Sequence, residues 1–467
     1  MRSGLALAAG IRGIGALMLE RLPGFRDFYP EDCARRDFLF RVWTEAARRH
    51  GFRRYDIPTL EPLELFTEKS GPEIVSQLFN FTDKGGREVA LRPELTPSLA
   101  RMVGARVATL KKPVKWFNIA ENFRYEKPQE GRLRSHFQLN CDIFGEPGPA
   151  ADAELIAVCL ACLRAFGLGP EDFALRLSDR TLWTLLLEAM GIEGTAAMEV
   201  LGIIDKLERT PREETLKRLQ PHFGDASEDF LGQFGMLMAL HEFGEMADFM
   251  RSLAPNAGIR EKTETRLGVW RELLDALDAM ELSPFIRIDL GIVRGLAYYT
   301  GFVFEVFKLA PDRSGYAGRA LAGGGRYDHL VGKLGFPPTE AVGFGMGDVT
   351  MTQFLEEKKK LPPIIEAPDV FIVAAGEAER RAALGLVGRL RAAGIRTEYA
   401  LRAPGFGKQF RLAGQCGARL AVVVGTDELA AGNVRLKDLA SGGESVVPLS
   451  GAPAAVRVAL EEGIGSA

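Results

Sequence analysis

Residues 123–142 read FRYEKPQEGRLRSHFQLNCD and are the most informative stretch of the chain. Strand-like segments at 114–123 and 137–144 flank a polar loop, and the two together predict a hairpin. The loop carries four basic side chains, which are Arg124, Lys127, Arg132 and Arg134. Guanidinium groups match phosphate oxygens through paired hydrogen bonds, so this hairpin is suited to bind a polyphosphate. Composition alone favours a solvated hairpin tip instead.

Further helices and strands are predicted upstream of this hairpin. Apolar residues at helical spacing predict a helix from Glu31 to His50, and Gly51 follows as its carboxyl-terminal stop. Two short strand-like runs, at 78–82 and 88–92, bracket a glycine-containing turn. This pattern indicates a second hairpin.

The sequence LRPELTP at 91–97 is a second candidate for chemistry. Its Glu94 and Thr96 stand within a frame stiffened by two prolines. A carboxylate held in this way is suited to bind a substrate ammonium group. In the alternative interpretation, Thr96 caps a helix that has Pro97 at its first position, and Glu94 lies at the surface.

Three more stretches lie nearer the carboxyl end. VRGLAYYTG at 293–301 can bring one cation and two phenolic hydroxyls to a pocket, from Arg294, Tyr298 and Tyr299. AGGGRYD at 322–328 and AVGFGMG at 341–347 allow a ligand to approach the backbone closely. Neither matches the phosphate-loop or dinucleotide-binding pattern. Taken alone, a strand turn with packed tyrosines is the simpler interpretation of 293–301.

Changes in composition divide the chain into segments. Helical patterns rich in Glu, Lys and Leu fill the middle of the chain, and a charged run ending in two prolines predicts a later linker. The predicted fold is an α+β body on a mixed, mainly antiparallel sheet with a helical insertion, plus a C-terminal α/β domain with a largely parallel sheet. The predicted bounds are 1–20 for an N-terminal tail, 21–178 and 285–355 for the body, 179–284 for the insertion, 356–367 for the linker and 368–460 for the C-terminal domain.

Composition excludes several classes of protein. With 46% apolar and 26% charged residues, the 467-residue chain is not disordered, collagen-like or stapled by disulfides. Five scattered cysteines fit a reducing cytosol. Cys159 and Cys162 share one face of an apolar helix, which is more typical of a buried surface than of zinc or redox chemistry. Arg12 interrupts the apolar run near the amino end, so a tail is favoured over an export signal.

The formal net charge of −3 at first argues against a nucleic-acid partner. Two regions differ from this average. Residues 380–419 hold nine basic residues and one acidic residue, a local net charge of +8. Residues 111–137 hold seven basic and three acidic residues, a local net charge of +4. Because backbone phosphates respond to local surfaces, the total does not exclude RNA.

Residues 22–449 as a whole resemble the histidyl-tRNA synthetase family of class II aminoacyl-tRNA synthetases. The FRYE start of the 123–142 stretch resembles class II motif 2. RGLAYY at 294–299 and GGGRYD at 323–328 are similar to the two histidine-specific signatures, in the same order. The resemblance implies a class II body, an anticodon-binding C-terminal domain, and a histidine–tRNA ligase that activates L-histidine with ATP.

The resemblance also implies roles for the matching residues. Arg124 and Arg294 would lie on opposite sides of the ATP α-phosphate as the catalytic pair. The implied histidine-binding residues are Glu94, Thr96, Arg124, Gln138, Asp142, Arg294, Tyr298 and Tyr299. The implied ATP-binding residues are Arg124, Glu126, Arg132, Arg134, His136 and Phe137, with His136 or Phe137 stacked on adenine. Gln129 is the implied candidate for the tRNA acceptor end.

Three positions depart from the family pattern. Thr350 stands where motif 3 usually has an Arg on the γ-phosphate, Ala297 where Asp is commoner, and Asp142 where Glu is commoner. The alternative function is the non-catalytic, synthetase-like regulatory subunit of ATP phosphoribosyltransferase in histidine biosynthesis. The retained Arg124 and the complete C-terminal domain favour the synthetase.

Cofactors and partners also follow from the resemblance. It implies ATP and Mg²⁺ as cofactors, without a protein metal site identified from the sequence. It implies L-histidine and tRNA(His) as substrates, a homodimer, and a cytoplasmic location without a membrane partner.

Overall fold

The computed structural model describes residues 20–70, 72–127, 129, 131–204, 207, 210–292, 299–310, 315–362, 367–402 and 404–462. The chain divides into two compact units. The first reaches Pro362, and the second comprises the residues beyond it together with Phe28–Arg35. Within the described residues, no helix combines the length and the apolar composition needed to cross a bilayer.

The first part of the chain alternates helices with strands. The elements are α1 (Pro30–Arg49), β1 (Arg53–Arg54), β2 (Leu60–Pro62), α2 (Glu64–Ser70), a 3₁₀ helix (Pro72–Gln77), β3 (Asn80–Thr82), β4 (Glu88–Leu91), α3 (Thr96–Gly104), β5 (Val114–Phe123), β6 (Ser135–Phe144), α4 (Pro149–Arg164) and β7 (Phe173–Asp179). The helix predicted at Glu31 is confirmed as α1. Acidic residues in its first turn and basic residues in its last complement the helix dipole.

Helices follow β7 before the strands resume. The elements are α5 (Arg180–Ala189), α6 (Gly194–Ile204), α7 (Arg212–Phe223), a 3₁₀ helix (Gly224–Ala226), α8 (Ser227–Met238), α9 (Phe243–Ser252), α10 (Ala257–Ala279), a 3₁₀ helix (Ser283–Phe285), β8 (Ile286–Ile288), β9 (Phe302–Leu309), β10 (Tyr316–Arg326), α11 (Leu330–Lys333), β11 (Ala341–Gly347) and α12 (Asp348–Glu357). The bounds of the insertion and of the other domains stay predictions.

In the described part of the chain, the central sheet has eight strands in the order β1-β5-β6-β11-β10-β9-β7-β8. Its two edge pairs, β1 with β5 and β7 with β8, are parallel, and the pairs between them are antiparallel. The predicted mixed, mainly antiparallel sheet is therefore confirmed. The predicted second hairpin is confirmed as β3 and β4, which pair antiparallel beside β2.

A large apolar core lies against one face of this sheet. It joins α1, α4 and the helices after β7, with Trp43, Trp183 and Trp270 essentially buried. Cys159 and Cys162 of α4 are buried in the same core, and their burial raises the pKa of both thiols. The interpretation of this pair as a buried helical face is confirmed. All five cysteines are free thiols.

One local prediction in the first unit is wrong. Thr96 does not cap α3, because the helix already includes Thr96, and Leu95 at the cap position makes no side-chain capping bond. The predicted linker range begins at residue 356, and α12 continues to Glu357 within it. Lys308 donates to Glu357 at 2.7 Å, and this contact supports the last turn of α12.

The second unit has its own sheet and core. Its elements are β12 (Val370–Ala374), α13 (Glu377–Ala392), β13 (Thr397–Tyr399), α14 (Phe406–Gln415), β14 (Leu420–Val424), α15 (Thr426–Ala430), β15 (Asn433–Asp438), β16 (Glu444–Pro448) and α16 (Ala452–Glu462). Strands β13, β12 and β14 are parallel, as predicted. The antiparallel strands β15 and β16, which the sequence did not indicate, extend the sheet.

Candidate functional site

A cleft of about 970 Å³ opens on one face of the eight-stranded sheet. Side chains and backbone of β6, β9, β10 and β11 line it. The segment after β4 adds Glu94 and Thr96, which are both almost fully buried. This volume lies at the upper end of the range for small-molecule sites, and is large enough for two ligands side by side.

The alternation of side chains along β6 decides which predicted residues reach the cleft. His136 and Gln138 line it. Phe137 points to the opposite face, where its ring packs 5.2 Å from that of Phe40 and 5.4 Å from the Arg36 guanidinium. Of the two residues predicted to stack on adenine, His136 faces the cleft and Phe137 does not, and the stacking itself stays a prediction.

Glycines of β11 make room for two polar side chains of β6. A Cβ atom at Gly343 would collide with the carboxylate of Asp142, and one at Gly345 would collide with the amide of Gln138. The Gln138 amide in turn donates to Asn140 Oδ1 at 2.7 Å. The glycines of the stretch 341–347 therefore leave the space that these two side chains occupy.

At the end of the cleft lined by Tyr327, here called the inner end, a buried carboxylate lies behind the lining residues. Asp142 is 1% exposed, and its Oδ1 accepts a hydrogen bond of 2.6 Å from the hydroxyl of Tyr327. Tyr327 and Tyr299 both line the cleft. Tyr327 belongs to the stretch 322–328 but is not one of the predicted site residues. An acceptor and phenol groups at one end of a cleft suit a small polar ring.

Arg124 lies where the hairpin loop meets the cleft. Its Nε donates to the carbonyl oxygen of Pro93 at 3.1 Å, and this bond ties the guanidinium to the segment that carries Glu94. Arg124 and Arg132 line both the cleft and a recess beside it. Arg132 is ion-paired with Glu126 at 2.8 Å. The cleft lining thus combines the carboxylates of Glu94 and Glu305 with the guanidinium groups of Arg124, Arg132 and Arg319.

The predicted phosphate ligand Arg134 is turned away from the cleft. Its guanidinium lies 4.6 Å from the centre of the Tyr125 ring, and its Nε donates to the Glu126 carbonyl oxygen at 3.2 Å. Its backbone nitrogen donates to the carbonyl of Gly24 at 2.9 Å. These contacts hold Arg134 at the base of the loop and outside the cleft lining, and its role at the β- and γ-phosphates stays a prediction.

Some of the predicted site cannot be placed. Arg294, Tyr298 and Ala297 lie outside the described residues. The neighbouring Tyr299 is half-buried and packs beside a small apolar cluster. No group of three or more His, Cys, Asp and Glu side chains with the geometry of a metal site occurs within the described ranges.

His136 is held neutral by its surroundings. Burial first, and then the charges of Arg124 and Arg26, lower the pKa of His136 from 6.5 to about 3. The unfolded chain binds this proton below about pH 6.5, whereas the folded chain does not until about pH 3. The stability that His136 contributes is therefore present above pH 6.5 and is lost as the pH falls from 6.5 towards 3.

The His136→Gln variant tests this shift. Between pH 7.5 and pH 5.0, the wild type is expected to lose about 2 kcal/mol more unfolding free energy than the variant. Urea unfolding followed by tryptophan fluorescence measures the difference, because all four tryptophans lie in the first unit. Equal losses in the two proteins would show that the folded His136 titrates normally.

Basic side chains in the second unit differ in their surroundings. The guanidinium of Arg391 donates to the Thr397 carbonyl oxygen, and Arg396 is ion-paired with Asp369. Lys408 and Arg411 are exposed on α14, three residues apart and therefore on one face. Some cations of the basic region 380–419 thus have partners on the protein, whereas Lys408 and Arg411 form an exposed pair on one face of α14.

Two sequence-family models match the chain. The model described as histidyl-tRNA synthetase matches residues 24–348. The model described as anticodon binding domain matches residues 369–458. The first match falls mainly in the first unit, and the second match falls in the second unit.

Curated relatives and solved structures agree with these matches. The histidine–tRNA ligase of Opitutus terrae is 51% identical over 438 residues, which cover 94% of this chain and 98% of that protein. The histidine–tRNA ligase of Halobacterium salinarum is 39% identical over 440 residues, with coverage of 94% and 98%. The crystal structure of histidyl-tRNA synthetase from Nostoc sp. PCC 7120 matches with a TM-score of 0.73 at 22% identity, covering 94% of this chain and 98% of that one.

Proposed function

The chain belongs to the histidyl-tRNA synthetase family, and on this premise we propose that its cleft activates L-histidine with ATP and transfers the histidyl group to tRNA(His). The chain is thus a ligase of the aminoacyl-tRNA synthetase class. One observation carries the assignment of the cleft: Glu94, Arg124 and Tyr327, whose hydroxyl bonds the buried Asp142, line a single cavity beside the phosphate-suited hairpin loop.

The first reaction step requires positioning rather than proton transfer. The carboxylate of histidine is already ionised at neutral pH and attacks the α-phosphorus of ATP, with pyrophosphate as the leaving group. Negative charge spreads over the phosphoryl oxygens in the transition state. Arg124, anchored to the Pro93 carbonyl, is proposed to hold the two anions together and to stabilise that charge.

Polar groups at the inner end of the cleft are proposed to select histidine. Glu94 and Thr96 bind its ammonium group, with help from Gln138. Asp142 accepts a hydrogen bond from the imidazole, and Tyr327 fixes the Asp142 carboxylate. A site built to hydrogen-bond a substrate nitrogen rejects apolar analogues strongly, because the buried polar groups are then left unpaired.

ATP is proposed to occupy the part of the cleft near the hairpin loop. His136, neutral at physiological pH, faces the adenine, and Arg132 faces the phosphates. The described residues fit Mg²⁺ only as an ion that arrives with ATP, since Glu305 can supply one carboxylate while phosphate oxygens supply the other ligands. When bound, Mg²⁺ neutralises part of the charge on the phosphates.

The proposed partners extend beyond the cleft. We propose that tRNA(His) reaches the cleft with its acceptor end beside Gln129, and that the second unit binds the anticodon. We also propose a homodimer in the cytoplasm. Free cysteines support a reducing compartment.

Pyrophosphate exchange tests the proposed function. The purified chain is expected to catalyse ATP–pyrophosphate exchange with histidine, and not with phenylalanine or leucine. The alternative is a regulatory role, and one matched structure from Bacillus halodurans bears the double name ATP phosphoribosyltransferase regulatory subunit/histidyl-tRNA synthetase. Absence of exchange, together with tighter feedback inhibition of a phosphoribosyltransferase, would replace the ligase with that alternative.

The exposed cations of α14 provide a separate prediction. The double variant Lys408→Ala/Arg411→Ala is expected to raise the KM for tRNA about tenfold and to flatten its salt dependence by about one to two units of log–log slope. Pyrophosphate exchange should be unchanged. Arg435→Ala is the control, because it removes a positive charge that Glu428 and Glu444 already neutralise. An unchanged KM for tRNA would exclude the α14 face from tRNA binding.

A further inference from the structure

Arg319 of β10 lies at the outer end of the cleft, opposite the hairpin loop. Its Nη2 donates to Gln129 Oε1 at 2.9 Å. A Cβ atom placed on Gly131, the glycine of the loop, would lie 3.0 Å from Arg319 Cδ and 3.4 Å from Thr350 Cγ2. Arg319, the loop and the first turn of α12 therefore meet at one point.

The backbone of β10 is irregular where it carries Arg319. Between Ala317 and Ala322 the strand advances five residues, while its partner β9 advances only two, from Lys308 to Val306. A bulge of this kind interrupts the sheet and redirects a side chain, and such bulges are common beside active sites. Gly318, with φ of +70°, precedes Arg319 and provides a conformation that side chains with a Cβ rarely adopt.

The neighbouring residue of α12 is uncharged. Thr350 lines this end of the cleft, and its hydroxyl faces the Gly347 carbonyl oxygen at 3.5 Å. In the family pattern an arginine for the γ-phosphate stands at this position of the sequence. The structure thus has a guanidinium from β10 at the point where α12 has lost one.

We propose that Arg319 binds the terminal phosphate of ATP and supplies the positive charge that Thr350 cannot. The inference rests on the proposed function, because it assumes that ATP lies in this cleft. Arg132 lies on the same loop as Gly131, so the γ-phosphate would be held between guanidinium groups from the loop and from β10. The hydrogen bond that Arg319 donates to Gln129 Oε1 keeps the guanidinium directed towards the loop.

Exchange kinetics with Arg319→Ala test this role. The KM for MgATP and the KM for pyrophosphate are expected to rise about 10- to 100-fold, since one charge-assisted hydrogen-bond pair is lost. The kcat should change less than threefold, because a terminal phosphate contact is made equally in the ground state and the transition state. Arg319→Lys should recover part of the loss. Arg106→Ala, an exposed arginine outside the cleft lining, is the control.

Binding measurements separate the phosphate contact from other effects. Arg319→Ala should bind histidyl-sulfamoyl-adenosine, which lacks β- and γ-phosphates, as tightly as the wild type. The added substitution Thr350→Arg should restore part of the affinity for MgATP. If Arg319→Ala keeps the wild-type KM for MgATP but loses tRNA charging, Arg319 serves the acceptor end and the proposal is wrong.

Different results would contradict the proposed function and the proposed role of Arg319. A wild-type chain without histidine-dependent exchange would contradict the proposed function. Calorimetric titration with MgATP would then still test Arg319. Equal MgATP affinities of the wild type and Arg319→Ala would overturn the role of Arg319, whatever the exchange assay shows.

Discussion

Replacing Arg124 by alanine is expected to lower kcat/KM for histidine-dependent pyrophosphate exchange about 10³-fold. The Arg124 guanidinium and Glu94 line the same cleft. Because a bond to the Pro93 carbonyl already orients the guanidinium, the reaction requires little further free energy to position it. The guanidinium is proposed to touch both the histidine carboxylate and the α-phosphate. Loss of such a contact removes charge stabilisation that is strongest in the transition state.

The controls for Arg124→Ala separate catalysis from folding. The urea midpoint of the variant should stay close to that of the wild type, since Arg124 makes a single described side-chain hydrogen bond, to Pro93. Arg106→Ala should exchange at the wild-type rate. Exchange by Arg124→Ala within tenfold of the wild type would mean that the reacting groups do not meet at Arg124.

The second large effect is expected on stability, from Arg326→Ala. The Arg326 side chain is 7% exposed and is ion-paired with Asp152, itself 3% exposed, at 2.5 Å. It also donates to the backbone carbonyls of Glu146 and Gly148 at 3.1 and 3.0 Å. Truncation leaves the Asp152 carboxylate buried without its counter-ion. The unfolding free energy of the first unit should fall by about 3–5 kcal/mol.

Urea unfolding followed by tryptophan fluorescence measures this loss without a contribution from the second unit, which contains no tryptophan. The double variant Arg326→Met/Asp152→Asn should lose less than Arg326→Ala, because it removes both charges. Arg326 also precedes Tyr327, so Arg326→Ala should raise the KM for histidine. A stability loss below 1 kcal/mol would show that Asp152 is satisfied by other groups.

The sequence indicated the elements that carry the site more reliably than the direction of each side chain. The spacing of β5 and β6 and the basic loop between them were predictable, because alternating apolar runs and a polar turn define a hairpin. The directions in which the individual side chains of the hairpin point were not predictable. Phe137 faces the core through its contact with α1, and Arg134 is held against Tyr125 and bonded to the Gly24 carbonyl, and none of these contacts is visible in the local sequence pattern.

Arg319 shows why part of the site could not be predicted. Its position in the cleft depends on a bulge against β9 that no local pattern announces. Tyr327 is similar, because only the pairing of β11 with β6 brings the Asp142 carboxylate to its hydroxyl. The charge that is available to a partner also could not be predicted from a count of residues. Arg396 in the basic region is neutralised by Asp369, so the count of +8 overstates the surface available to RNA.

Aminoacylation by the purified full-length chain tests the central claim most directly. The reaction contains labelled histidine, MgATP and a tRNA(His) transcript, and the charged tRNA is resolved on an acid gel. Histidyl-tRNA is expected to form only with ATP, and Arg124→Ala is expected to reduce its rate of formation about 10³-fold. No charging by the wild type, under conditions where a known histidine–tRNA ligase charges the same transcript, would contradict the central claim.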